Sequence, residues 1–285
     1  MLRLFPLILV LIQSFAFSAG VQAQPLVVAS VKPLQLIAAA VTDGVSVPGL
    51  VIGPGQDPHH LSLRPSERRA LAEAGISLWV GPVLEEPLAD TLDVTSPQVI
   101  TAYALLEAAG LTLSERMDPH IWLSTQNARL IAQVLTRRLQ ALDTLNQARY
   151  ANNLNRFLLA LDELDAGIAA LLAPLSTRDF AVYHNAFRYF ERQFGLQHIA
   201  SFTENEELQP GVRRILQIRE RLDEAEVNCV LIQPQNNPQQ LSQLLGRDMH
   251  MVSVDVLAQD YVPSASAYSD FMRDLGDSIA GCLRG

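Results

Sequence analysis

Residues 144–173 read TLNQARYANNLNRFLLALDELDAGIAALLA, and their apolar side chains recur every three or four positions, the spacing of one helical face. Gly167 alone interrupts this pattern, and Pro174 ends it because proline cannot continue a helix. At ~1.5 Å per residue this helix spans roughly 45 Å, which is longer than a domain made from half of the chain needs. It therefore either runs between two lobes as a spine or packs along one ordinary domain.

Short apolar runs alternate with helical segments on both sides of the long helix. Strands are predicted at residues 25–30, 49–52, 76–80 and 98–101, and again at 180–183, 198–202, 228–232 and 251–256. This alternation predicts an α/β fold of two lobes with mainly parallel sheets, whose strands point their carboxyl ends at a cleft. The predicted division is an N-terminal lobe at 24–142, a connecting helix at 143–173 and a C-terminal lobe at 174–285.

The first 23 residues have the pattern of a cleavable signal peptide. Arg3 gives a positive start, residues 4–17 are almost wholly apolar, and Val21 and Ala23 are small residues at the −3 and −1 positions of a cut after Ala23. The apolar run is short for a membrane span, which leaves an uncleaved anchor as the weaker alternative. No cysteine follows the run, so we expect no lipid anchor, and we expect a soluble, exported protein.

The charge of the chain argues against polyanionic partners. The 285 residues carry a formal net charge of −9, and removal of Arg3 with the signal peptide makes this −10. Repulsion from phosphates therefore disfavours both nucleic acid and anionic membrane surfaces.

The chain contains two cysteines, Cys229 and Cys282. In an oxidising compartment an even pair favours a disulfide, which would fasten the last helix to the C-terminal sheet. Two unrelated buried thiols are the alternative.

Three histidines stand at junctions between predicted elements. His59 follows the turn after a strand, His120 immediately precedes a helix, and His184 directly follows a strand. They lie more than sixty positions apart, so only the fold could bring them together. Three imidazoles form a ligand set suited to zinc. Taken singly, each is better explained as a surface or core histidine than as a metal ligand.

Several neighbours of these histidines are candidates for supporting roles. His60 is an alternative ligand, although adjacent extended residues point in opposite directions and one of the pair should dominate. Asp57, Asp118 and Asn185 could accept hydrogen bonds from the ring N–H groups of the ligands, or could simply form turns.

Six short motifs occur in one order along the chain. They are VASVKPL at 28–34, PHHLSLRPS at 58–66, WVGP at 79–82, DPHIWL at 118–123, YHNAFRYF at 183–190 and QPG at 209–211. Each motif is weak by itself, but the ordered set is specific and covers nearly all of the predicted mature chain. It resembles the metal-binding proteins of high-affinity zinc and manganese ABC importers, and most closely the periplasmic proteins of zinc uptake.

The resemblance implies a two-lobed fold bridged by one long helix, with the metal in the cleft between the lobes. His59, His120 and His184 match the three histidine positions of the family, and the two cysteines match its disulfide. The implied cargo is a zinc ion. The implied partner is an inner-membrane ABC permease with its cytoplasmic ATPase, and the implied binding protein is a monomer without enzymatic activity.

The chain also departs from the family pattern. Many zinc members carry a histidine- and acid-rich loop before the second motif, yet residues 84–117 contain no histidine. Many relatives add a carboxylate ligand, whereas residues 232–238 contain no acid, and Pro58 stands where some members have glutamate. We therefore expect water as the fourth ligand, and we expect the site to disfavour binding of the harder manganese ion. A carboxylate from Glu204, Glu206, Glu207 or Asp255 stays open.

Three other functions fit parts of the pattern. Manganese or a metal chelate could replace zinc as the cargo. Three histidines and a water also describe a zinc hydrolase, but no general base stands near them in a spacing such as H-E-x-x-H. An adhesin-like role is disfavoured because we expect no surface anchor.

Overall fold

The computed structural model describes residues 25–56, 58–113, 117–203 and 211–285, and the predicted signal peptide lies outside them. Within these ranges eight strands form two four-stranded sheets, and neighbouring strands are parallel in both. The predicted α/β class with two parallel sheets is therefore confirmed. In the same ranges no helix combines the length and hydropathy that crossing a membrane requires.

The elements follow one another in the alternation that the sequence predicts. The strands are β1 (Val27–Ala29), β2 (Gly49–Leu50), β3 (Ile76–Trp79), β4 (Val99–Thr101), β5 (Ala181–His184), β6 (Ala200–Thr203), β7 (Cys229–Ile232) and β8 (His250–Ser253). The helices are α1 (Lys32–Thr42), α2 (Pro65–Glu73), α3 (Glu86–Ala89), α4 (Ala102–Ala108), α5 (Thr125–Leu142), α6 (Gln147–Leu172), α7 (Arg188–Phe194), α8 (Val212–Glu224), α9 (Pro238–Leu245) and α10 (Ala267–Arg284). Short 3-10 helices occur at Pro58–His60, Ile121–Leu123, Thr144–Asn146 and Ala173–Leu175.

Both sheets have the same strand order. The first sheet is ordered β2-β1-β3-β4 and the second β6-β5-β7-β8. In each sheet the earliest strand is therefore internal, and the chain moves outward first to one side and then to the other. Since all strands of a sheet run parallel, their carboxyl ends lie along one edge, where loops can present ligand-binding side chains.

Helix α6 is the predicted long helix, and it begins at Gln147 because residues Thr144–Asn146 form a 3-10 turn. Its buried face carries Tyr150, Asn153, Phe157, Leu161, Leu164, Ile168 and Leu172. This face contacts α1 and α5, which belong to the first lobe, and α10, which belongs to the second. The spine alternative is thus the correct one, because one apolar stripe serves both lobes.

The lobes also touch each other directly, so the apolar core is continuous across their boundary. The indole N–H of Trp122 donates to the carbonyl of Val256 at 2.8 Å, and the hydroxyl of Tyr268 donates to the carbonyl of Trp122 at 2.7 Å. Helix α10 lies close against α6. A Cβ atom added to Gly276 of α10 would lie only 3.2 Å from a side-chain carbon of Ile168 in α6. These contacts fix one lobe against the other.

Cys229 and Cys282 form a disulfide, which confirms that prediction. Cys229 is the first residue of β7 and Cys282 lies in the last turn of α10, with their Cα atoms 5.3 Å apart. The bridge therefore fastens the C-terminal helix, which packs on the spine, to an internal strand of the second sheet.

Replacing both cysteines by serine should lower the free energy of unfolding of the metal-free protein by about 4 kcal/mol. The reason is that the bridge closes a loop with a sequence separation of 53, and the unfolded chain gains the entropy of that loop when the bridge is absent. Urea unfolding followed by far-UV circular dichroism measures the change. An unaltered midpoint at equal slope would contradict this role.

Candidate metal centre

The fold brings the three predicted histidines together. His59 lies in the 3-10 helix Pro58–His60, His120 immediately precedes the 3-10 helix Ile121–Leu123, and His184 is the last residue of β5. One ring nitrogen from each lies within 4.8 Å of the other two. Among the described residues, the group of potential metal ligands at this point consists of these three side chains.

The placement of His184 follows from the second sheet. Strand β5 is internal, pairing with both β6 and β7, and His184 aligns with Thr203 in the register with β6. A residue at the carboxyl end of an internal parallel strand faces the edge where such folds bind ligands. His59 and His120 reach the same point from loops of the first lobe.

His120 and His184 contact each other through their Nε2 atoms, which are 3.0 Å apart. Two lone pairs would repel at this distance, so one of the two nitrogens carries a proton. Because Nδ1 of His120 lies 2.8 Å from the Asp118 carboxylate, we assign its proton to Nδ1. His184 then donates from Nε2 to Nε2 of His120, and a single proton holds the pair together.

The same separation suits a shared metal ion. Two nitrogens bound to one tetrahedral zinc lie about 3.3 Å apart, because each bond is about 2.0–2.1 Å long. The His120–His184 distance differs from this by only a few tenths of an ångström. A cation that replaces the shared proton would therefore need little movement of these two rings.

His184 is kept in its neutral form. Only 1% of its surface is exposed. Burial lowers the pKa of its imidazole from near 6.5 to about 2, and the charges of His120 and His59 in their protonated forms add to the effect. The metal-binding form of imidazole is the neutral one, so the low pKa keeps His184 in that form at neutral pH.

Asp118 and Trp122 flank His120 on both sides. One carboxylate oxygen of Asp118 accepts the backbone N–H of His120 at 2.9 Å in addition to its contact with the ring. The ring of Trp122 meets the His120 ring edge to face, with centroids 5.4 Å apart. Both residues are almost wholly buried, so the imidazole is held in one orientation and shielded from water.

The other predicted site residues have different positions. Asp57, Glu204, Glu206, Glu207 and the side chain of His60 lie outside what the structure describes, and their predicted roles stay predictions. Asn185 follows His184, and its backbone N–H donates to the carbonyl of Thr203 at 3.1 Å.

Asp255 lies in the loop after β8 and is not part of the histidine group. Its carboxylate accepts the backbone N–H groups of Leu257 at 2.9 Å and Gln259 at 2.5 Å. The observed role of this carboxylate is therefore to shape its own loop.

One contact near the site has no signal in the sequence. Gln193 lies in α7, and its side-chain oxygen accepts hydrogen bonds from the hydroxyl of Ser124 at 2.8 Å and from the backbone of Thr125 at 3.1 Å. Its side-chain nitrogen donates to Asp165 of α6 at 2.9 Å. A single glutamine thus joins the helix that follows His184, the start of α5 and the spine.

A family described as ZnuA, "Zinc-uptake complex component A periplasmic", matches residues 27–282. The chain belongs to this family. The predictions of a periplasmic zinc-binding component of an ABC zinc importer, with zinc as the transported ligand and no enzymatic activity, are thereby confirmed at the level of the family.

Individual ZnuA proteins match along almost their whole length. The high-affinity zinc uptake system protein ZnuA of Yersinia pestis is 30% identical and is covered to 91%, with 90% of this chain aligned. The ZnuA of Brucella abortus (strain 2308) is 28% identical with the same two coverages.

Solved structures show the same architecture. A crystal structure of ZnuA superposes with a TM-score of 0.75 at 25% identity, covering 90% of this chain and 98% of that one. The periplasmic zinc-binding protein TroA of Treponema pallidum superposes with a TM-score of 0.78 at 19% identity, covering 91% and 99%. The second likeness concerns the fold alone, and both structures agree with two lobes joined by a long helix.

The stability of the metal-free protein should fall as the pH falls below about 6.5. His184 binds a proton readily in the unfolded chain, where its pKa is about 6.5, but not in the folded one, where its pKa is about 2. Acid therefore favours the unfolded state, and the contribution of His184 between pH 7.5 and pH 5 is roughly 2 kcal/mol.

Urea unfolding at several pH values, compared between the wild type and His184→Gln, isolates this contribution. We expect a shallower pH dependence in the variant. Equal pH dependence in both proteins would show that His184 does not titrate differently in the two states.

Proposed function

We propose that His59, His120 and His184 bind Zn²⁺ as cargo and that the protein delivers this ion to an inner-membrane ABC permease driven by a cytoplasmic ATPase. The observation that carries the proposal is the convergence of three imidazole nitrogens within 4.8 Å from three distant segments. Membership of the ZnuA family supports the same function.

The chemistry of the ligand set favours zinc over manganese as the cargo. Imidazole nitrogen is a borderline-soft donor that suits zinc, whereas manganese prefers carboxylate and other oxygen ligands. Three protein nitrogens leave one position of a tetrahedral shell for water or another group from outside. Such an incomplete protein shell suits an ion that has to be released again.

Asp118 is proposed as the residue that orients His120 for the metal. Its carboxylate accepts from Nδ1 of His120, which leaves Nε2 as the ligand atom and makes it a better donor.

The division of the chain is proposed as a lobe at 24–142, a connecting helix at 143–173 and a lobe at 174–285, after cleavage of the signal peptide behind Ala23. His59 and His120 then come from the first lobe and His184 from the second, so a bound ion would tie the lobes together. All three ligands belong to one chain, so the site needs no second copy, in agreement with a monomer.

Replacing His184 by alanine should weaken zinc binding at least about a hundredfold, because a direct ligand contributes more than the roughly 10–100-fold of an outer partner. Competition against a fluorescent zinc indicator measures the affinity, and circular dichroism verifies the fold. The matched control is His250→Ala, since His250 is exposed at the start of β8 and should not affect binding. Unchanged affinity in the His184 variant would refute the proposed site.

Replacing Asp118 by asparagine should weaken zinc binding by about 10–100-fold while the fold is kept. The amide preserves the shape of the carboxylate but removes the negative charge that supports the ring proton of His120. The same competition assay applies, with Asp93→Asn in an exposed loop as the control. An affinity equal to that of the wild type would show that Asp118 serves only the turn.

A further inference from the structure

His59 is the least buried of the three proposed ligands. His120 and His184 are buried, whereas His59 is half-buried. The segment that carries His59 follows β2, an edge strand of two residues, while His184 ends an internal strand of the second sheet. The first sheet therefore gives His59 little support by itself, and contacts from outside this sheet matter for its position.

The second lobe makes such a contact through Gln259. The side-chain oxygen of Gln259 accepts the backbone N–H of Gly55 at 3.0 Å, although the two residues are 204 positions apart in the sequence. Pro58, which immediately precedes His59, lines one narrow crevice together with Gln259. The segment that carries His59 thus lies against the loop of residues 255–260, which follows β8.

Gly55 belongs to a turn that is closed by its own hydrogen bonds. The backbone N–H of Gln56 donates to the carbonyl of Gly53 at 3.2 Å, and the side-chain oxygen of Gln56 accepts the N–H of Gly53 at 2.7 Å. Two bonds hold the turn in one shape. A contact that fixes Gly55 therefore also fixes the chain that leaves the turn toward His59.

The 255–260 loop has a defined shape, so it can hold another segment in place. The Asp255 carboxylate accepts the backbone N–H groups of Leu257 at 2.9 Å and of Gln259 at 2.5 Å. Ala258 is fully buried and has a φ of 52°, a left-handed conformation that alanine keeps only where surrounding contacts impose it. The side chain of Gln259 therefore extends from a backbone that is held in position.

The same loop also contacts the segment of His120. The carbonyl of Val256 accepts the indole N–H of Trp122 at 2.8 Å, and the Trp122 ring meets the ring of His120. One loop of the second lobe thus contacts both ligand-bearing segments of the first. The Trp122 bond is buried, whereas the bond from Gly55 to Gln259 is exposed, so Gln259 can be replaced without disturbing the core.

We infer that Gln259 is a positioning residue for His59. Its amide oxygen holds the turn at Gly55, keeps the His59 imidazole at the point shared with the other two ligands, and so slows the release of a bound zinc ion. This inference rests on the proposed function, because it assumes that zinc occupies the histidine site. Gln259 acts through the chain between Gly55 and His59.

The test is the rate of zinc release from the full protein, measured by stopped flow with a chelating indicator in excess. Gln259→Met keeps the approximate length of the side chain and removes the amide oxygen. It should release zinc about three- to tenfold faster than the wild type, the effect of one lost hydrogen bond, with an unchanged association rate. A wild-type release rate in the folded Gln259→Met protein would overturn the inference.

Two further variants provide matched comparisons. Gln259→Glu keeps an acceptor oxygen at the same place, so its release rate should stay within about twofold of the wild-type rate. Gln243→Met makes the same change as Gln259→Met on the exposed face of α9 and should release zinc at the wild-type rate. If Gln259→Glu released zinc as fast as Gln259→Met, the acceptor oxygen would not be the cause, and the inference would fail.

A double-variant comparison separates the positioning of His59 from a general effect on the fold. Gln259→Met should weaken zinc binding about three- to tenfold when His59 is present, but should leave the affinity of the His59→Ala protein unchanged in a competition titration, because no imidazole remains to be positioned. Equal losses in both backgrounds would overturn the inference while the zinc site stands. Failure of the wild-type protein to bind zinc at all would instead refute the proposed function.

Discussion

The contact between His120 and His184 is the interaction on which the arrangement of this protein depends. Two buried imidazoles, one from each lobe, meet nitrogen to nitrogen at 3.0 Å, and such a contact is stable only while a proton or a cation lies between them. Burial excludes a second proton, which is why the pKa of His184 is so low. A positive ion therefore fits between the two nitrogens, whereas two opposed lone pairs would repel each other there.

Holding two lobes at this separation requires rigid support, and the fold supplies it at three levels. Helix α6 packs one apolar stripe against both lobes, Trp122 reaches across to the carbonyl of Val256, and Gln193 joins the segments that follow the two histidines. An ion bound at the proposed site would therefore not have to order the three imidazoles first, which spares the entropy of ordering them. The disulfide adds to this support, since it fastens α10, which packs on the spine helix α6, to the second sheet.

The sequence predicted the main elements because their signals are local. All eight predicted strands are present, although mostly shorter than predicted, and the long helix is found within a few residues of its predicted bounds. The short helices α3 and α4 were not predicted, and the four residues of α3 are too few to show a helical periodicity. The common strand order of the two sheets also has no counterpart in the sequence, because topology depends on which strands pair and not on which residues they contain.

The residue types and their spacings are enough to predict a zinc-binding set of ligands, the parallel α/β class, the cysteine pair and, through six ordered motifs, the family. These properties depend only on residue types and on spacings of a few positions along the chain. Three further facts come from the tertiary structure alone: the three imidazoles meet, Asp118 faces the ring of His120, and the carboxylate of Asp255 is engaged by its own loop. Each of these depends on the distance between segments that are far apart along the chain, and that distance is set by packing across the spine, for which no local pattern exists.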